Sequence, residues 1–308
     1  MENPKDRSVV YVDRVNRAID YVVRYLDGPL PLSAVAKAAG FSPFHFHRIF
    51  QSMMGESLQA FVKRVRLERA VALLSQRDWP TRRKPAITEI ALACGFTSSA
   101  DFSRSFKQRF GVPASQFDPQ TFRADRRNHW QDLVAGPDHR HLLDGLPPGE
   151  NPDGFQVALR ALPARDVAYI RVVNSYREGV VPAAAERLVQ WAEARGCAHG
   201  QWLGYAWDDP EIVAPEHCRY DVGVEVTGTR PDGEVGMFRF PALQVAEIEI
   251  RGGIDLEMRA LDWLYATWLP NSGYVPTDMP CAEAWIGRPY AHGFAHFELN
   301  LQLPVERG

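Results

Sequence analysis

At 308 residues, 45% hydrophobic and 24% charged, the chain is long enough for two domains and has the composition of a protein that buries a core. Four cysteines (Cys94, Cys197, Cys218, Cys281) far apart, with no CxxC pair, argue against a zinc knuckle or a disulfide framework, and neither metal nor cofactor is expected. The net charge of -3 hides a split: residues 1–127 carry 21 basic and 12 acidic side chains and the rest 14 and 26, so the halves should have different partners.

The polar start MENPKDRSVV lacks an apolar signal core, and no run approaches membrane-span length, so a cytoplasmic protein, nucleoid-associated if it binds DNA, is expected. The first strong pattern is LSAVAKAAGFSPFHFHRIFQSMMG from Leu32, repeated as ITEIALACGFTSSADFSRSFKQRFG from Ile87. Each copy reads as an N-capped short helix, a glycine that can take a positive φ, and a second helix at an angle, the helix-turn-helix pattern. In the first copy Ser42 caps the second helix and Pro43 takes its first position. His45 and His47, two apart, point to different sides of that helix and do not suit chelation. Phe46, Ile49 and Phe50 share a core face, while Phe44, His47, Arg48 and Gln51 share another. Arginine is the natural bidentate partner of guanine, so Arg48 and Arg104, at equivalent positions, are candidate base readers; an internal salt bridge is the alternative. The helix SLQAFVKRVRLERAVALL joins the copies. In the loop after it, Arg82, Arg83 and Lys84 are either solvated or in contact with phosphate.

These residues resemble the AraC/XylS family DNA-binding domain over roughly 8–123, through Arg66-Leu67-x-x-Ala70-x-x-Leu73-Leu74, IALACGF, FSRSFKQRFG and VPASQF. The resemblance implies an all-α double helix-turn-helix domain whose second helices enter two adjacent major grooves of double-stranded DNA. Phe44, His47 and Arg48 are then expected to face bases in one groove, and Ser99, Ser103 and Arg104 in the other. Ala100 and Asp101 stand where relatives often carry longer polar readers.

Domain boundaries are expected at 1–127 and 153–308, with residues 128–152 as a proline-rich linker. Its His139, Arg140 and His141 read as solvated rather than metal-binding. In the second half PARDVAYIRV from Pro163 and PALQVAEIEI from Pro241 match at an offset of 78, which also sets Gly204–Trp207 (GYAW) over Ala282–Trp285 (AEAW). Each copy reads strand, strand, helix, strand, strand: a duplicated ββαββ unit with a central cleft.

YAWDDP with RYDVGVEV, WLPNSGY and the strand carrying Glu283 make residues 153–305 similar to the GyrI-like, or Rob-type, effector-binding domain. That resemblance implies a small, amphipathic or cationic effector held at Glu283. Trp285, Tyr205 and Trp207 would supply an aromatic wall. Alternatively the tryptophans are core and Glu283 binds a backbone amide or an arginine. The expected function is a one-component transcriptional regulator, not an enzyme. The alternative is a hydrolase using Glu283 as general base, with no nucleophile–base pair in evidence. RNA polymerase is a further candidate partner, and a monomer is compatible with the pattern.

Overall fold

The computed structural model describes residues 4–76, 85–133, 146–293 and 295–308. Arg82, Arg83, His139, Arg140 and His141 lie outside the described residues. The chain divides into two compact units. The first is all-helical: α1 (Pro4–Arg24), α2 (Leu32–Ala38), α3 (Pro43–Met54), α4 (Leu58–Ser75), α5 (Ile87–Ala93), α6 (Ser99–Phe110) and the start of α7 (Pro119–Leu133). The expected linker therefore opens inside a helix: α7 continues to Leu133, because nothing before Gly136 and Pro137 breaks it.

Local chemistry explains the helix boundaries. The short helices α2 and α5 carry no side-chain cap of the expected kind, because Pro31 and Ala86 stand at their cap positions; the caps are on the longer helices. The side chains of Ser42, Ser57 and Ser98 accept hydrogen bonds from the backbone N–H groups of His45, Ala60 and Asp101, each satisfying a donor that the first turn leaves free. Phe46 and Phe50 of α3 are fully buried with Phe61, Val35 and Ala36, and Ile49 packs against that cluster. In the second copy Ile90, Cys94, Phe96, Phe102 and Phe106 are buried in equivalent fashion. Helix α4 fastens both copies. Arg66 donates to the carbonyls of Leu26 and Gly28 at 3.0 and 2.6 Å. Arg64 pairs with Glu56 and Glu68, and Arg109 of α6 reaches Glu68 at 3.6 Å. Gly95 is obligatory at its turn: φ is +81°, and an added Cβ would lie 2.4 Å from the Leu26 carbonyl oxygen.

In the second unit the element order is β1 (Ala158–Leu162), β2 (Arg165–Val173), α8 (Val180–Ala194), β3 (Trp202–Ala206) and β4 (Arg219–Val226). Then come β5 (Gly236–Phe240), β6 (Leu243–Gly252), α9 (Ile254–Trp263), β7 (Tyr274–Pro276), β8 (Ala282–Trp285) and β9 (Phe297–Arg307). Helix α9 runs into a π-helical turn, Leu264–Trp268. Among the described residues the strands form one sheet in the order β1-β6-β9-β8-β3-β4-β2-β5, with β7 on β9. Helix α8 packs on β2 and β4, and α9 on β6.

Register decides which side chains share a face, because directly opposed residues project the same way and sequence neighbours project oppositely. One transverse row reads Ile170, Val222, Gly204, Glu283, Leu301, Ile248. The next row, on the other face, reads Arg171, Asp221, Tyr205, Ala282, Gln302, Glu247. Glu283 is thus the only charged side chain in an otherwise apolar row.

Candidate functional site

Two surfaces carry the residues singled out by sequence. On α3 the face opposite the buried Phe46 and Phe50 presents Phe44, His47 and Arg48, all exposed, with Phe44 at 69%. On α6 the face opposite Phe102 and Phe106 presents Ser99, Ser103 and Arg104, also exposed. Neither Arg48 nor Arg104 makes a hydrogen bond or ion pair among the described residues, whereas Arg64 and Arg109 are taken up in the α4–α6 cluster. His45 bonds through Nδ1 to the Ser42 hydroxyl at 3.1 Å, so it belongs to the helix start. Asp101 lies 3.8 Å from Lys63, and its backbone N–H is held by Ser98.

The second surface is built around Glu283 on β8. The Tyr220 hydroxyl, reaching over from β4, donates to Oε2 of Glu283 at 2.6 Å, and Trp285 donates a further hydrogen bond. Gly204 on the intervening strand makes this possible. A Cβ there would lie 1.8 Å from the Tyr220 hydroxyl oxygen and 2.8 Å from Oε2, so no side chain can stand between the two groups. Trp285 packs on Tyr290 at 5.1 Å and edge-on against Phe297 at 5.5 Å. Tyr290 adopts φ +58°, an uncommon conformation for a bulky residue. Trp285 also lines, with Trp202, Gln201 and Arg288, a cavity of about 320 Å³.

Electrostatics follows from burial. Loss of hydration raises the Glu283 carboxyl to about 7, against the hydrogen bonds from Tyr220 and Trp285, which favour its charged form. The hydroxyls of Tyr220 and Tyr290 are pushed up by burial and by the nearby carboxylate charge. Nothing cationic pairs with Glu283 among the described residues, so its charge is stabilised by two neutral donors alone.

Two expected members of the aromatic wall are elsewhere. Tyr205 opposes Ala282, not Glu283, and projects to the other face, where it packs with Trp207, Phe238 and Phe240. Trp207 donates to Asp221 at 2.7 Å, and Asp221 is held in turn by Arg171 through two hydrogen bonds. The error has a definite origin. The offset of 78 holds for β2 and β6, where Ile170 and Ile248 lie in one row, but it fails by parity at β3 and β8. It sets Tyr205 over Glu283, which the register places on opposite faces. Sequence reading also missed Tyr220, Gly204, Tyr290 and Glu257. Only Glu257 left a readable trace: it stands at helical spacing with the buried Ala260 and Leu264, an acid on an apolar stripe.

Comparison with known proteins finds a match in each unit. Residues 155–306 match the GyrI-like small molecule binding domain, and residues 35–120 match a helix-turn-helix domain. A DNA gyrase inhibitor of Edwardsiella piscicida is 32% identical over 162 residues, spanning 50% of this chain and 99% of that protein. An uncharacterized HTH-type transcriptional regulator of Staphylococcus aureus (strain MSSA476) is 31% identical over 121 residues, covering 39% of this chain and 15% of that protein. Among solved structures, an AraC-type transcriptional regulator from Chromobacterium violaceum aligns with TM-score 0.30 and 25% identity, over 33% of this chain and 87% of that one. Among the described residues no helix is long and apolar enough to cross a membrane. The chain belongs to the family of the GyrI-like small-molecule binding domain and carries a helix-turn-helix domain ahead of it, the composition of a ligand-sensing transcriptional regulator.

Proposed function

We propose that the operator is read by Phe44, His47 and Arg48 in one major groove and by Ser99, Ser103 and Arg104 in the next, and that the effector is a cationic amphipath bound at Glu283. The observation that carries the effector reading is the row position of Glu283: a carboxylate among Ile170, Val222, Leu301 and Ile248, with two neutral donors and no cation. An apolar surround excludes hydrated ions, and the carboxylate rewards a positive centre that brings its own apolar surface. Trp285 and Tyr290 supply π faces that favour the same ligand. The exposed, unpaired guanidiniums of Arg48 and Arg104 carry the groove reading. Arg82 and Arg83 complete it as phosphate contacts, which position the protein without specifying sequence.

The element order and the matching ends of the strand order favour a duplicated ββαββ unit, with the one-residue parity change at β8 placing a carboxylate where the first copy has Gly204. A second domain of residues 153–308, a cytoplasmic place near the nucleoid, RNA polymerase as a further partner and a monomeric state complete the reading. Four unbridged cysteines support the reducing compartment. Neither matched family description names an enzymatic activity.

The test is calorimetry and thermal shift of the full chain with an arylalkyl quaternary ammonium and its neutral isostere. Wild type should bind the cation and gain melting temperature in a dose-dependent way. Glu283→Gln should weaken the cation selectively and leave the neutral compound nearly unaffected. Equal cation binding by both proteins would retire the charge reading.

A further inference from the structure

Glu257 stands in the first turn of α9 and is 3% exposed. Its carboxylate makes no hydrogen bond or ion pair among the described residues. Tyr220, Tyr290 and Cys281 each lie within electrostatic reach of both Glu257 and Glu283, which places the two carboxylates in one cluster. Among the described residues the titratable groups coupled to both acids are Tyr220 from β4, Cys281 just before β8 and Tyr290 after its end, and none of these is a cation. A buried acid without a donor is costly, and one facing a second acid is costlier, so it persists only where something neutralises it.

Resting on the effector reading above, we propose that Glu257 is a second anionic contact of the Glu283 site, and that the pair selects ligands with two positive centres over ligands with one.

The two acids are unequal. Tyr220 and Trp285 donate to Glu283, and no donor reaches Glu257, so the proton of the empty site resides mainly on Glu257. Burial and the neighbouring Glu283 charge both raise its carboxyl, which agrees with that placement. A monocation that pairs with Glu283 leaves Glu257 protonated. A dication pairs with both and expels that proton. Binding a dication therefore releases more protons than binding a monocation, and the preference for the dication grows as pH rises.

The experiment uses the full chain and two probes with fixed charge: naphthylmethyl-trimethylammonium, and its homologue with a second trimethylammonium three methylenes further along. Wild type should bind the dication about 10- to 100-fold more tightly, the worth of one further charged contact in a desolvated site. In Glu257→Gln that ratio should fall to near one with monocation affinity kept, while Glu283→Gln should weaken both probes. Titration in buffers of differing ionisation enthalpy should show greater proton release with the dication in wild type. A dication preference that survives Glu257→Gln, or equal proton release by the two probes, overturns the second contact and leaves the Glu283 reading standing. Failure of both cations to bind wild type while naphthylmethanol binds overturns both readings. Should Glu257→Gln not fold, proton counting on wild type decides alone.

Discussion

The two units place function on the surface by different rules. On α3 and α6 the candidate readers are selected by distance along one helix: residues three or four apart share a face, so a buried Phe46 and Phe50 leave Phe44, His47 and Arg48 outside whatever else the chain does. In the sheet no such local rule exists. Glu283 meets Tyr220 across β3, sixty-three residues away in sequence, and only because Gly204 stands between them in register. A helical site tolerates change one residue at a time, whereas a cross-strand site depends on positions that never touch the ligand.

The sharpest way to break that contrast is Gly204→Val. The new side chain must occupy space held by the Tyr220 hydroxyl and Glu283, and overpacking of this kind costs on the order of 1–3 kcal/mol or more. Effector binding should be lost, and the melting temperature should drop with it. DNA binding measured below that temperature should persist. Normal effector affinity in Gly204→Val would show that Tyr220 and Glu283 do not act together.

Arg48→Ala tests the helical side. It should cost about 1–3 kcal/mol on the operator and little on random duplex, since base contacts specify sequence. Uniform weakening across sequences, read by competition binding, would move Arg48 to the phosphate class. Ser42→Ala should cost about 1 kcal/mol of first-unit stability by removing the cap on α3, read as a shift of the denaturant midpoint.

A pH series sharpens the sheet side. The Glu283 carboxyl is raised from its unfolded range to about 7, so the folded chain binds more protons than the unfolded one between those values. Its contribution is fully present below about pH 4.5 and is lost as pH rises through 7. The second unit should therefore lose a few degrees of melting temperature between pH 5 and 8. Glu283→Gln should flatten the slope, leaving the part contributed by Glu257, whose carboxyl is raised in the same direction. A saturating cation should flatten it too. The smallest effect is expected of Arg82→Ala: slight weakening on every sequence alike, with the salt slope of binding reduced by about one.

The sequence by itself determined the helix-turn-helix pair, the Ser42 cap, its core phenylalanines and the exposed faces of α3 and α6. These follow from spacing within one element, which backbone geometry converts directly into direction. Glu283 was marked as the acid to explain through the resemblance of its strand to the GyrI-like domain. Tertiary structure alone decided that Tyr205 and Trp207 leave the site, that Tyr220 enters it, and that Glu257 joins from a helix. Those outcomes depend on strand register, where a shift of one residue exchanges the two faces of a sheet, and an offset of 78 counted along the chain carries no information about that parity.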